Sequence, residues 1–450
     1  MTLRWKTWAS AALLFGALAG CGADAADPVG AAPQATDGLT RGGYSVPAQW
    51  EPHASVWLGW WVFPYGGDAF PTESTSVAVT RALTRYVPVD MLVQSAEEEA
   101  HVREVLTTAG VGLSRVRFHA IPHNDFWMRD TAGVFTRNRA GEVAVVDWGY
   151  DTWSYDRYTA AYSQADERID RDIAEGLGVD AHRCSLIHEG GNTDVDGRGT
   201  ALVTETVVRR RNPHMTLAEV EREIKRCYGV RQVIWLPDGP MEDQAIMRGM
   251  LPGNVLNPGG TDGHTDEYVR FAPNNTILLA EVRREDIDRA DVGERQRALV
   301  NRQRMEAAYD ILRRARDADG RPYRVVRVPM AEPEYYDLQP GDPWHDVILA
   351  ISPLEDGTVI APTQTLRIVS TTSYLNFFVT NGAVLYPAYA RGIPTPLSAR
   401  KDREVAETLR RAFPGRDVVP IYDVLGANRG AGGIHCMTQQ QPVSTNAGGL

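Results

Sequence analysis

The sequence predicts an α/β fold assembled from repeated strand–strand–helix–strand units around a common centre. Two observations predict it. Past residue 50, short apolar runs alternate with helix-like stretches to the end of the chain. Between them polar signatures recur, at residues 127–130, 189–192 and 264–266, at Asn376 and at Cys436. A third observation excludes a neighbouring class: no Gly-x-Gly-x-x-Gly follows the first strand, so the pattern is not that of a dinucleotide fold. A generic α/β sandwich is the alternative that the pattern leaves open.

Length and composition narrow the function classes. The chain has 450 residues, enough for one large domain or two ordinary ones. Hydrophobic residues at 43% and charged residues at 23% fit a soluble globular protein. A net charge of -11 argues against nucleic acid as a partner and suits cationic ligands.

The first residues read as an export signal. Arg4 and Lys6 give a short basic region, and residues 9–20 are apolar but too few to span a bilayer as a stable helix. Leu18-Ala19-Gly20-Cys21 resembles a lipobox, which makes Cys21 the expected lipidation site and mature N-terminus; ordinary cleavage near Ala23 or Ala26 is the alternative. Residues 1–20 are thus the expected lipoprotein-type signal, 21–41 a flexible tether rich in Ala, Asp, Gly and Pro, and 42–445 a single catalytic domain. The protein is then expected in the bacterial cell envelope, held to a membrane by its lipid, or else periplasmic or secreted. No other segment has the length and apolarity of a membrane span.

Export leaves Cys184, Cys227 and Cys436, an odd number, so at least one thiol is free. Cys184 and Cys227 read either as a disulfide or as two unpaired core residues. In both cases Cys436 is left over.

In chain order, a strand is expected at 54–62, a turn at Pro64-Tyr65-Gly66-Gly67, a helix at 74–86 and a strand at 87–93. A polar-faced helix at 97–109 closes on Gly110, and a strand follows at 116–120. Residues 123–131 read as a polar, aromatic loop or strand end. Next come a strand at 143–148, a helix at 168–177 ending on Gly178, a turn at Asp196-Gly197-Arg198-Gly199, a strand at 201–206, a helix at 217–227 and a strand at 233–236. A loop at 259–265 precedes strands at 267–271 and 276–281, and a long charged helix covers 295–318. Further strands are expected at 325–328, 347–351 and 359–361. Residues 373–380 and 383–386 flank Asn381-Gly382, a hairpin signal. A helix at 403–413 and a strand at 418–422 lead to a glycine-rich loop and back to Cys436.

Four places carry candidate chemistry. Cys436 sits beyond Gly432-Gly433, where the backbone can approach closely, and reads either as a nucleophile or as a small buried hydrophobe. Asp130 follows Phe126-Trp127-Met128-Arg129, an apolar wall able to shield a carboxylate; a shielded carboxylate needs a partner, and a guanidinium offers five donors in a rigid fork. In Asp262-Gly263-His264-Thr265-Asp266, an extended backbone would put Asp262, His264 and Asp266 on one face, where they could orient a catalytic histidine beside a substrate-binding carboxylate. A metal there is the weaker reading, because the spacing matches no strong motif. Glu189 precedes Gly190-Gly191-Asn192 and is placed to hold His264 in its charged form. Residues 194–205 faintly resemble a calcium loop, but Arg198 takes a ligand position, so a hairpin turn is favoured. Thiol, histidine and surplus carboxylates together point to a cationic substrate, against a cysteine protease or amidase.

Five ordered blocks carry a resemblance: Trp127-Met128-Arg129-Asp130, Glu189-Gly190-Gly191-Asn192, Gly263-His264-Thr265-Asp266, Ser373-Tyr374-Leu375-Asn376-Phe377, and the run from Gly433 to Pro442 that contains Cys436. They resemble the agmatine deiminase and bacterial, Porphyromonas-type, peptidylarginine deiminase family of guanidino-group-modifying penteins, over residues 44–442. The resemblance implies a five-bladed α/β propeller with pseudo-fivefold symmetry and a central polar site. It implies Cys436 as nucleophile, His264 as general acid/base, Asp130 and Asp266 as the carboxylates that grip the guanidinium, and Glu189 as support for the histidine. It further implies Asn376 lining the site and Trp127 stacking on substrate. Neither a metal nor an organic cofactor is expected.

The implied reaction is hydrolytic deimination, most simply of agmatine to N-carbamoylputrescine, with peptidyl arginine as the alternative substrate. An amidinotransferase-like pentein and a non-catalytic lipoprotein for cationic ligands are the competing classes. Three features bear on substrate. Thr193-Asp194 stands where agmatine enzymes commonly carry a hydrophobic-histidine pair, and Arg429 precedes the cysteine motif, where it pairs either with a substrate carboxylate or with a surface acid. Residues 148–162 resemble the tryptophan-containing segment of the agmatine branch and carry Arg157 alone rather than an arginine pair.

Overall fold

The computed structural model describes residues 38–60, 72–155 and 163–444. The expected signal, Cys21, the tether up to residue 37, the turn at 64–67 and Arg157 lie outside the described residues.

The strands, in chain order, are β1 (His53–Gly59), β2 (Val89–Val93), β3 (Val116–Ala120), β4 (Val134–Arg137), β5 (Val143–Gly149) and β6 (Ala181–Ile187). They continue with β7 (Thr193–Val195), β8 (Thr200–Thr204), β9 (Gln232–Leu236), β10 (Val269–Ala272), β11 (Thr276–Glu281) and β12 (Arg324–Pro329). The last are β13 (Tyr335–Leu338), β14 (Leu366–Val369), β15 (Phe378–Thr380), β16 (Ala383–Pro387), β17 (Asp417–Ile421) and β18 (Gln439–Pro442).

One pairing rule repeats in five sheets among the described residues. An antiparallel hairpin is followed by a parallel neighbour in β4-β5-β6, β7-β8-β9, β10-β11-β12 and β15-β16-β17. The fifth sheet applies the rule across the termini: β18 pairs antiparallel with β1, β1 runs parallel to β2, and β3 extends the sheet. A parallel neighbour requires a crossover. The helices Ile169–Leu177, Leu217–Tyr228, Val292–Leu312 and Pro396–Ala412 lie in the crossovers of the four internal units, and Thr72–Leu83 in that of the fifth. The expected strand–strand–helix–strand repeat is therefore present.

Burial follows from position in each sheet. The middle strands β8 and β16 are buried along their whole length and read as continuous apolar runs, as strands covered on both faces do. Outer strands such as β9 and β17 are partly exposed. Thr216 and Glu219 form a capping box at the start of Leu217–Tyr228, which satisfies donors that the first turn would otherwise leave unpaired. The Asn381-Gly382 turn joins β15 to β16 with Thr380 opposite Ala383, as its sequence requires.

Several expectations are corrected. Residues 347–351 do not form a strand; they fall in and just after the helix Pro343–Ala350, with Asp342 and Pro343 at its start and His345 and Ile348, three apart, buried on one side. Residues 359–361 have no regular structure. The strand at 201–206 stops at Thr204, and Glu205–Arg211 is helical. The expected tether ends early, because Gly38–Gly42 is a short helix whose Leu39 packs with Val46 and Tyr228. The hairpin favoured over a calcium loop is, by contrast, present at 193–204: Asp194 accepts from Phe271 N, Asp196 caps its own turn, and Glu205 beyond it pairs with Arg209. Cys184 on β6 and Cys227 on the helix Leu217–Tyr228 form a disulfide, which settles their open alternative and leaves Cys436 free.

Candidate active site

Cys436 is held from three directions. Arg129 N donates to Cys436 O (3.0 Å), and the Arg129 guanidinium bonds His435 O, Gln439 and Gln440. The glutamines beyond the cysteine are thus structural: Gln441 also accepts from Ser55 and Trp57 on β1. From the other side Asn376 Oδ1 accepts from His435 N (2.7 Å) and Cys436 N (3.4 Å), while its Nδ2 donates to the sulfur (2.9 Å). Trp127 closes the third side. A Cβ at Gly432 would lie 2.5 Å from the Trp127 ring and 3.1 Å from Cys436 Cβ, so only glycine lets the loop pass between them.

The carboxylates come from three loops. Asp130 sits in the single helical turn Met128–Thr131, where its oxygens accept from Gly191 N and Trp153 Nε1, each at 2.9 Å. Asp266 follows His264 in a tight turn before β10; its Oδ2 lies 2.7 Å from His435 Nδ1 and 3.5 Å from the Cys436 sulfur, and its Oδ1 is buried without a hydrogen bond among the described residues. Glu189 accepts from Arg211 Nε (2.6 Å) and places its second oxygen 3.4 Å from His264 Nε2. The opposite nitrogen, Nδ1, lies 3.8 Å from Asp130 Oδ2. Gly191 marks where these groups converge: a Cβ there would collide with His264 Nδ1 and sit 2.9 Å from Asp130 Oδ1 and 3.2 Å from Asp266 Oδ2.

The structure therefore brings together Cys436, His264, Asp130, Asp266, Glu189, Asn376 and Trp127. It does not bring in Asp262. The segment is not extended, since Asp262 has φ +75°, and its carboxylate is taken by Arg248 (2.6 Å) and Arg210 (3.0 Å). Arg429 takes the acid-pairing alternative: its guanidinium bonds Glu334 at 2.6 Å and lies over the Tyr336 ring.

Six participants were not singled out from sequence. Asp243 accepts from His264 N and Thr261 N, both at 2.9 Å, and so shapes the histidine loop. Arg211 fixes Glu189 and also donates to Thr261 O (2.9 Å). His435, Trp153 and Arg129 orient the reacting groups as described. Glu267 lies 3.8 Å from the sulfur and accepts from Asn376 Nδ2 at 2.7 Å. The adjacency of Glu267 to Asp266 and of His435 to Cys436 was the available signal; Asp243 and Arg211 offered none, being far in sequence.

Charge states follow from this packing. Burial would depress His264, but Asp130 and Glu189 lift its pKa to about 9, so it is an imidazolium at neutral pH. Burial would raise Glu189, yet Arg211 and His264 hold it near 2. Burial and the charges of Asp266, Glu267 and Asp130 push the Cys436 thiol well up. Asp130 is raised chiefly by burial, and Asp266 by burial and then by Asp130 against the pull of His264. The site is thus an acidic enclosure around a protonated thiol, and a cation entering it would relieve both the carboxylates and the sulfur.

Asp266, Glu267 and Cys436 each bring one possible ligand atom within 4.8 Å of the others. The fit to a metal is poor, because Asn376 Nδ2 aims its N–H groups at both Glu267 and the sulfur, where a metal ion would need bare acceptors.

Residues 45–442 match the Porphyromonas-type peptidyl-arginine deiminase family. The chain belongs to that family. It is 32% identical to the agmatine deiminase of Stutzerimonas stutzeri (strain A1501) over 408 residues, covering 89% of this chain and 96% of the relative. It is 29% identical to the agmatine deiminase of Pseudomonas aeruginosa (strain LESB58) over 413 residues, covering 90% and 97%. Among solved structures, the agmatine deiminase of Enterococcus faecalis superposes with a TM-score of 0.68 at 24% identity, over 90% of this chain and 97% of that one, a likeness of fold. The α/β fold is accordingly related to that of the pentein superfamily.

Proposed function

We propose that this protein hydrolyses the guanidino group of a small cation, agmatine to N-carbamoylputrescine, releasing ammonia. The observation that carries the reading is the convergence of one free thiol, one imidazolium and two carboxylates in a single buried acidic site, in a chain matched over 90% and 89% of its length by two proteins named agmatine deiminase. Peptidyl arginine is the second reading, and the name of the matching family favours it.

In this mechanism Asp130 and Asp266 take the N–H groups of the guanidinium and fix its central carbon beside Cys436. The positive charge that binding brings lowers the cost of ionising the thiol, whose proton is released to solvent, and the thiolate attacks that carbon. His264 gives its proton to the departing ammonia, leaving a thiouronium on the sulfur. The neutral imidazole then takes a proton from water as water attacks the same carbon, the carbon–sulfur bond breaks, and the ureido product leaves, its surplus proton restoring the thiol. Glu189 holds His264 in place through both halves and favours its charged form in the first. Trp127 walls the site and Asn376 lines it.

The five repeated sheets read as the blades of a propeller around this site; the β18–β1 pairing, which brings the two ends of the chain into one sheet, supports that reading. Export with a lipid on Cys21 is supported by the basic-then-apolar run ahead of it and by the Cys184–Cys227 disulfide, a bond suited to an oxidising compartment. Loss of membrane association in Cys21→Ser, with the lipid mass on the wild-type N-terminal peptide, is the expected outcome.

An ammonia-release panel tests the function: agmatine, free arginine, and peptides with internal or C-terminal arginine, each against wild type and Cys436→Ala. Agmatine is expected to turn over fastest. Release from peptides alone moves the assignment to peptidyl arginine, transfer to an added amine moves it to an amidinotransferase, and ligand binding with no ammonia from any compound removes the enzyme reading.

A further inference from the structure

Asn376 presents a two-edged amide to the nucleophile segment. Its oxygen faces two backbone N–H groups, of His435 and Cys436, and its nitrogen faces the Cys436 sulfur at 2.9 Å and Glu267 Oε1 at 2.7 Å. The side chains of Asn376 and Glu267 are both buried, at 1% and 4% exposure, so water does not compete for these bonds. An amide held at one edge can swing about that edge; held at both, its N–H points in one direction. Glu267 supplies the second hold. Among the described residues its other oxygen, Oε2, has no hydrogen bond, so the Asn376 contact is the one that anchors this carboxyl among their side chains other than the thiol.

We propose that Glu267 is a positioning residue for the reaction: by accepting one N–H of the Asn376 amide it aims the other at the Cys436 sulfur, giving the thiolate a fixed hydrogen-bond donor. A buried thiolate is stabilised by such a donor more than a thiol is, because hydrogen bonds to a charged acceptor are the stronger ones. Glu267 is also an acid 3.8 Å from the sulfur, and as a bare charge it would act in the opposite sense, disfavouring the thiolate. The two roles therefore predict opposite signs, which makes the inference testable.

The inference rests on Cys436 reacting as a thiolate, and the test is chosen to need no substrate. The rate of iodoacetamide alkylation of Cys436, followed on the Cys436 peptide by mass at fixed pH, reports the thiolate fraction. Glu267→Asp keeps the charge but withdraws the oxygen from Asn376; Glu267→Leu removes both the charge and the oxygen. Asn376→Ala is expected to slow alkylation about tenfold, equivalent to about one unit of thiol pKa. Glu267→Asp is expected to slow it similarly, Glu267→Leu by less, and the double variant Glu267→Asp/Asn376→Ala no more than Asn376→Ala alone. With the best guanidino substrate, kcat should follow the same order. Unchanged alkylation in Glu267→Asp, faster alkylation in Glu267→Leu, or multiplying losses in the double variant each overturn the inference. A loss of ammonia release with the alkylation order intact would instead count against the deiminase reading alone. Should Glu267→Asp fail to fold, the Glu267→Leu rate against wild type still decides the sign.

Discussion

Three acids surround the Cys436 sulfur, and they oppose its ionisation until a cation is bound. Substrate charge is therefore part of the catalytic apparatus, and neutral amides are poor candidates for turnover. Cys436→Ala is expected to lower ammonia release on the order of 10^4-fold or more, since the variant lacks the sulfur that the proposed covalent intermediate needs. Asp130→Asn should lower kcat/KM by roughly 10^2- to 10^3-fold, through both loss of a guanidinium contact and loss of the main charge that keeps His264 protonated. The sign for pH follows from the same pair. Activity that needs imidazolium falls as pH rises through about 9; removing the Asp130 or Glu189 anion lowers that pKa, so the alkaline limb of kcat/KM against pH moves to lower pH in Glu189→Gln. An unmoved limb would detach Glu189 from the histidine.

At the scale of elements, close backbone approach decides the site more than any single polar contact does. Gly191 lies in a tight turn between Glu189 and β7, and its backbone N–H caps Asp130. Gly191→Ala puts a methyl group against His264, Asp130 and Asp266 at once. It is expected to cost most of the activity while leaving the thermal transition within a few degrees of wild type, measured by ammonia release and calorimetry side by side. The disulfide is the complementary case, remote from the chemistry. It closes a loop of 43 residues, which in the chain-entropy account stabilises the fold by about 4 kcal/mol. Cys227→Ser should lower Tm clearly, with kcat/KM per folded molecule unchanged at low temperature. Helices misread as strands share a cause here: in residues 343–351 the apolar run is short, and its period is set only by which of His345 and Ile348 the tertiary contacts bury.

Over the whole molecule, the chain is closed by its own last strand. β18 carries Gln439, Gln440 and Gln441, which bond Gly133, Arg129, Ser55 and Trp57, and it supplies β1 with its antiparallel neighbour. Truncation after Met437 leaves every catalytic residue in the chain, yet it should abolish both folding and activity by opening the sheet beside Cys436. Circular dichroism melts of the truncated protein check this. Global stability also records the site's charge. His264 is raised from 6.5 to about 9, so its contribution is full below pH 6.5 and is lost as pH rises through 9. Glu189 is lowered from 4.5 to about 2, so its contribution is present above pH 4.5 and is lost as pH falls towards 2. In His264→Gln the decline in Tm between pH 6.5 and 9 should be shallower than in wild type.

By itself the sequence determined the repeat, the family and the candidate site residues, because these depend on local signals: apolar runs of strand length, the Asn381-Gly382 turn, and short blocks in which Asp130, Glu189, His264, Asp266, Asn376 and Cys436 stand beside glycines or aromatic residues within a few positions. Only the tertiary structure decided that Asp262 turns away to Arg248 and Arg210, that Arg429 is taken by Glu334, and that Cys184 and Cys227 are joined. The same holds for Asp243, Arg211 and Glu267. Each of these is a contest between partners distant in the chain, settled by which groups the packing buries together, and a buried charge goes to whichever partner lies within hydrogen-bond reach.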